Sequence, residues 1–171
     1  MLRLMIDVVD EGPEHRAAIA EIHRAAFGGE YEVRIVDRLR DDGLIVVSRV
    51  ALDDGVPVGH ILFSRLAVTV DNRPVPAVSL APMAVRADRR KQGIGSALIE
   101  RGLQALRKTP IRAVIVLGHA HYYPRFGFSA ALTRHLASPY QGDAFMGLEL
   151  VPGALAGRTG SVTYPPAFDL T

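Results

Sequence analysis

Between Val85 and Ile99 the chain reads Arg86-Ala-Asp-Arg-Arg-Lys-Gln-Gly-Ile-Gly-Ser-Ala-Leu, a basic turn followed by glycines at 93 and 95. A strand ends before this turn and a helix opens after it. Free N–H groups and the positive end of a helix dipole therefore converge at residues 90–96. Glycine at 93 and 95 leaves no side chain to hold an anion away from the backbone. Arg86, Arg89, Arg90 and Lys91 add positive charge around them. This is the chemistry of a site for a phosphate-bearing ligand. It is not a Walker loop, because no Gly-Lys-Ser/Thr follows at the required spacing. It is not the dinucleotide fingerprint either, because Leu98 stands where a third glycine is needed.

The elements that must position this loop follow from periodicity and punctuation. Residues 2–9 read as a short strand, and Gly12-Pro13 breaks it. A helix over 14–27 places Ile19, Ile22 and Ala26 on one face, with His23 beside that stripe as a packing or surface histidine. Gly28-Gly29 ends it, and a second short helix spans 32–40. Two β-rich runs, 44–52 and 58–70, flank Asp53-Asp54-Gly55-Val56-Pro57, a hairpin signal. A turn at Asp71-Asn72-Arg73-Pro74 leads to a strand over 75–85. Pro82 lies inside that strand and cannot donate to a ladder, so a bulge or unpaired stretch is expected there. A long helix over 93–108 presents residues 94, 97, 98, 105 and 106 on one face, widened by Ile99 and Leu103. A buried strand at 113–117, a short helix at 121–126, strands at 128–132 and 144–151, and a Gly- and Pro-rich tail with one strand near 161–164 complete the reading. The order of elements gives a mixed α+β fold in one domain across 1–171.

Composition narrows the function. Apolar residues make up 49% of the 171, enough for a sizeable core. With no cysteine, disulfides, thiolate metal sites and cysteine nucleophiles are excluded, and no metal is expected. A net charge of +2 is too even for a nucleic-acid partner. The first residues meet acid too early for a signal-peptide core, and no apolar run approaches the roughly 18 residues that cross a bilayer. The expectation is a soluble, cytoplasmic protein with no membrane partner; assembly as a homodimer stays open.

Arg90-Lys-Gln-Gly-Ile-Gly resembles the Gln/Arg-x-x-Gly-x-Gly/Ala signature of the GCN5-related N-acetyltransferase (GNAT) superfamily. Val114-Ile-Val-Leu-Gly-His-Ala-His-Tyr-Tyr-Pro-Arg-Phe-Gly-Phe is similar to that superfamily's later block, which ends in Tyr-x-x-x-Gly-Phe. With Leu80-Ala-Pro-Met-Ala-Val and the tail over 145–167, nearly the whole chain resembles the YhbS-like branch of predicted acetyltransferases.

The resemblance implies a mixed, mostly antiparallel sheet flanked by helices and splayed where the arm of coenzyme A inserts. It implies acetyl-CoA as co-substrate, with its pyrophosphate on Arg90, Lys91, Gln92, Gly93, Ile94, Gly95 and Ser96. The pantetheine arm would lie along Met83, Ala84 and Val85, whose N–H groups would also face the thioester oxygen. Tyr123 corresponds to the family tyrosine that protonates the leaving thiolate, while Tyr122 is read as packing. One departure stands out: Leu117-Gly118-His119 lacks the asparagine that many members carry there.

The implied reaction is direct attack of a primary amine on the thioester. His119 is the first candidate for the general base, with Glu30, Glu32 and His60 behind it. The acceptor cleft is expected over 27–33 and 138–145, where Glu30, Glu32 and Asp143 could meet a cationic amine. The alternative is a non-catalytic acyl-CoA-binding or regulatory module on the same fold.

Overall fold

The computed structural model describes residues 6–169. Its strands are β1 (Ile6–Asp10), β2 (Ile45–Asp53), β3 (Val56–Val70), β4 (Arg73–Val85), β5 (Ala113–Leu117), β6 (Leu136–Ala137), β7 (Phe145–Glu149) and β8 (Gly160–Thr163). The helices are α1 (Arg16–Phe27), α2 (Tyr31–Asp41) and α3 (Ile94–Leu106). Strand order is β1-β2-β3-β4-β5-β7, with β8 paired to both β3 and β6. All pairs are antiparallel except β4–β5 and β6–β8. The sheet is therefore mixed and mostly antiparallel, as the resemblance implies. Of the first strand expected over 2–9, residues 2–5 lie outside the described chain.

Two tight turns fix the register of the long hairpins. Asp54 and Gly55 sit at φ 49° and 80°, and Asp71 and Asn72 at 48° and 62°. Positive φ at both central residues makes a turn whose twist matches the flanking strands. Asp53 then pairs with Val56, and Val70 with Arg73. β3 is long enough to take two partners on one edge: β2 along residues 56–64 and β8 along 67–70.

The irregularity expected at Pro82 is present. Ile61 faces Met83 and Phe63 faces Leu80, so Leu62 alone stands opposite Ala81 and Pro82. Two residues against one is a β-bulge, which absorbs the nitrogen that cannot donate.

The faces of the sheet carry different helices. α3 lies on one, burying Ile94, Leu98, Ile99, Leu103 and Leu106 against Ile61, Phe63, Val78 and Val114. α2 lies on the other, packing Ile35, Val36 and Leu39 on Leu62. Each such side chain contributes about 1.5–3 kcal/mol relative to exposure. α1 ends at Gly28, whose left-handed φ of 75° lets its N–H reach the Arg24 carbonyl.

One expected strand is absent. Residues 128–132 form a 3₁₀ turn at Ala130–Leu132 and touch the sheet through a single bridge, Ser129 to Gly147. The cause is local. Ser129 Oγ accepts from Ala131 N–H at 3.2 Å and Thr133 Oγ1 donates to the Ala130 carbonyl at 3.0 Å. Such bonds compete with a strand ladder.

Candidate active site

The parallel pairing of β4 with β5 covers only Ala77, Val78 and Ser79 against Ala113, Val114 and Ile115. β4 runs on to Val85 and β5 to Leu117, so past Ser79 the two strands leave a gap. Arg86 N–H bonds to the Val58 carbonyl at 2.8 Å, and Ala84 registers with His60. Alternation then turns the backbone groups of Ala84 toward β3 and those of Met83 and Val85 into the gap. The backbone surface expected over 83–85 therefore narrows to two peptide units, and Ala84 is committed to the sheet.

At one end of this gap α3 begins. Gly93 has φ 81° and precedes the first helical residue. A Cβ built on it would meet no atom within 4 Å, so the space ahead of the helix is open. The first bond inside the helix runs from Ala97 N–H to the Gly93 carbonyl at 3.0 Å, which leaves the N–H groups of Ile94, Gly95 and Ser96 without helical acceptors. Among the basic residues, Arg86 pairs with Asp88 at 2.8 Å and Arg89 with Asp53 at 2.9 Å. Arg90 and Lys91 are exposed and have no ion-pair partner among the described residues. An open helix terminus with two free cations fits a pyrophosphate.

β5 ends at Leu117, and the chain turns through Gly118 and His119 into the 3₁₀ turn Tyr123–Phe126. Gly118 is required here: any Cβ would collide with the Tyr123 ring. That ring is buried, stacked edge-on to Phe128 at 5.7 Å and to Tyr122 at 5.3 Å. Burial, and then Tyr122, push its hydroxyl up to about 12. Tyr122 does more than pack. Its hydroxyl lies 3.3 Å from Ser96 Oγ, which ties the tyrosine turn to the first turn of α3.

A cavity of about 540 Å³ fills the space between these parts. Ser79, Leu80, Met83, Gly118, His119 and Tyr123 line one side. The opposite wall comes from Phe27, Tyr31, Glu32 and Ile35 near the α1–α2 junction, with Tyr140, Tyr164 and Phe168. The tail residues Tyr164 and Phe168 escaped sequence reading, since nothing in a Gly- and Pro-rich stretch marks where it returns. Asp143 lies instead beside a separate small cavity with Arg134.

Four candidates for a base become two. His119 and Glu32 line the cavity. Glu30 is ion-paired to Arg24, which holds its carboxyl below the usual range. His60 is wholly buried and faces α1 instead. It belongs to a chain of five polar groups drawn from α1, α2, β2, β3 and the residue that follows β1. Arg40 Nη2 donates to both oxygens of Glu11, at 3.1 and 3.0 Å, and Ser48 Oγ donates to Glu11 Oε1 at 3.0 Å. With its proton committed, Ser48 accepts from His60 Nε2–H at 2.8 Å. His60 Nδ1 is then a lone pair and accepts from His23 Nε2–H at 2.7 Å. The carboxylate thus dictates both tautomers. His23, stacked on Phe27 at 6.0 Å, is buried as completely as His60.

Sheet, gap and cradle define a class, and comparison with known proteins agrees. The Acetyltransferase (GNAT) family model matches residues 16–128. The chain belongs to that family. It is similar to the uncharacterized N-acetyltransferase YhbS of Escherichia coli K12, 35% identical over 162 residues, covering 93% of this chain and 96% of YhbS. The crystal structure of E. coli YhbS in complex with CoA superposes with a TM-score of 0.88 at 32% identity, over 99% of this chain and 95% of that one. A GNAT family acetyltransferase from Brucella melitensis in complex with acetyl-CoA gives 0.79 at 32% identity, over 98% and 100%. Among the described residues no helix is long and apolar enough to cross a membrane.

Proposed function

We propose that the chain is an N-acetyltransferase that moves the acetyl group of acetyl-CoA to a primary amine by direct attack. The observation that carries this reading is the stretch of β4 beyond Ser79, unpaired toward β5, with an open helix terminus at one end and a tyrosine-lined cavity at the other. The two structures bound to CoA and acetyl-CoA support the cofactor.

Acetyl-CoA supplies an activated carbonyl carbon. Backbone N–H groups of Ile94, Gly95 and Ser96, with Arg90 and Lys91, hold its pyrophosphate, and Gln92 and Gly93 shape the turn. Met83 and Val85 offer backbone donors and acceptors to the arm, and their N–H groups are the ones able to face charge developing on the thioester oxygen. His119 or Glu32 takes a proton from the amine as the nitrogen–carbon bond forms. The carbon–sulfur bond breaks with its electron pair going to sulfur, and sulfur gains a proton in turn.

Tyr123 stays protonated at neutral pH, as a donor must. Its hydroxyl can donate a hydrogen bond to sulfur as charge builds there and supply the proton that sulfur gains.

Calorimetry with acetyl-CoA tests the reading through two variants at one position. At φ 81° any side chain is strained, and asparagine tolerates that region best. Gly93→Asn controls for strain, while Gly93→Glu adds an anion in the cradle. Expected is binding by the native protein and by Gly93→Asn, lost in a folded Gly93→Glu. If the native protein does not bind acetyl-CoA, the reading is overturned.

A further inference from the structure

The wall facing β4 is built from three separate stretches that lock together. Tyr140 meets Tyr164 edge-on at 5.1 Å, and Tyr164 meets Phe168 at 5.3 Å. Tyr31 Oη donates to the Phe168 carbonyl at 2.7 Å, which binds the α1–α2 junction to the tail. Exposed apolar surface gathers here. Of six large apolar side chains left exposed among the described residues, Phe27, Tyr31, Leu117 and Tyr140 border this one cavity. Apolar surface concentrated at a cleft marks a binding site.

The charge in the cleft is equally specific. Glu32 is its only carboxylate, and neither lysine nor arginine lines it among the described residues. A bound carboxylate or phosphate would lose water there without gaining a cationic partner, which is costly. An ammonium group would gain Glu32 and the faces of several rings. The cavity of about 540 Å³ must take the acetyl end of the cofactor along Met83 as well as the acceptor, so the acceptor is small.

We infer that the acceptor is a small primary amine on an apolar or aryl-bearing carbon chain, without carboxylate or phosphate, and that Glu32 receives its ammonium group. This deepens the acetyltransferase reading and rests on it. The ammonium ion, held by Glu32, loses one proton to water before attack. The nitrogen lone pair then bonds to the acetyl carbon while the carbon–sulfur bond breaks, and loss of a second proton from nitrogen balances the one gained by sulfur. The acids expected to greet a cation thus reduce to one, because Glu30 is held by Arg24 and Asp143 lies elsewhere.

The test compares 2-phenylethylamine with phenylalanine, which adds a carboxylate, and with ethanolamine, which lacks the ring. Acetyl-CoA is the donor throughout. Burying one aryl group predicts kcat/KM for phenylethylamine on the order of 100-fold above ethanolamine, and phenylalanine should fall below both. Tyr140→Ala should raise KM for phenylethylamine and leave kcat, whereas Glu32→Gln should lower kcat/KM and change its pH profile. Calorimetry on the same proteins reports acetyl-CoA binding separately. Binding intact, with phenylalanine or ethanolamine the better substrate, overturns this inference alone. Absence of acetyl-CoA binding in the native protein overturns the acetyltransferase reading and the inference with it.

Discussion

Tyr123 joins two demands that pull against each other: a ring packed into the core and a hydroxyl that must reach the cleft. Its packing against Phe128 and the absence of a side chain at Gly118 hold the ring in one place. Replacing it by phenylalanine keeps the packing and removes only the hydroxyl. The expected outcome for Tyr123→Phe is a fall in kcat on the order of 100-fold, with acetyl-CoA affinity unchanged by calorimetry; an unchanged kcat would remove Tyr123 from the chemistry. Tyr123 and the glycine loop were legible because each belongs to a contiguous motif. Tyr122 was not, since its partner Ser96 lies 26 positions away. His23 and His60 were hidden in the same way, being 37 apart, and a histidine beside an apolar stripe says nothing about which imidazole it will meet.

At the scale of elements, α3 has to serve two masters. Its first turn must stay open toward the gap while its body seats on the sheet. Gly102 permits the second task, because a Cβ there would strike the buried ring of Phe63 on β3. Alanine favours a helix by about 1 kcal/mol over glycine, yet overpacking costs about 1–3 kcal/mol. Gly102→Ala should therefore lose up to about 2 kcal/mol in denaturant unfolding; a more stable variant would mean that Phe63 moves aside freely. Helices and long strands were legible from apolar periodicity, and the two hairpins from Asp-Gly and Asp-Asn. β6 was not, because two residues carry no period. Nor was the return of the tail to β3, since a pairing such as Ala67 with Thr163 leaves no local trace.

Across the whole molecule, the buried histidines link stability to acidity. Burial lowers His23 to about 4, and burial, then His23 and Arg40, hold His60 well below its ordinary value. Both are neutral in the folded chain, whereas the unfolded chain takes up their protons below about 6.5. Their contribution is thus complete above pH 6.5 and declines as pH falls toward 4. His23 alone should remove about 2 kcal/mol between pH 7 and pH 5. Glu11 and Arg40 are the charged groups facing this pair. Denaturant midpoints at the two pH values should show the loss. His23→Gln, which keeps a donor for His60 Nδ1, should show a shallower slope. Equal midpoints at both pH values would mean that the pair is hydrated or already charged.

The bond from Tyr31 to Phe168 spans 137 positions, and that distance along the chain divides the labour of the site. Under the proposed function, whatever holds the cofactor and serves its leaving sulfur is written in the middle, between Ser79 and Tyr123. Whatever the amine would meet first is written toward either end. Changes of loop length or residue type in the tail would then redirect the chain to another amine without disturbing the residues that hold the cofactor. On this layout, relatives that share the middle and differ at the ends would share a reaction and part company over what they modify.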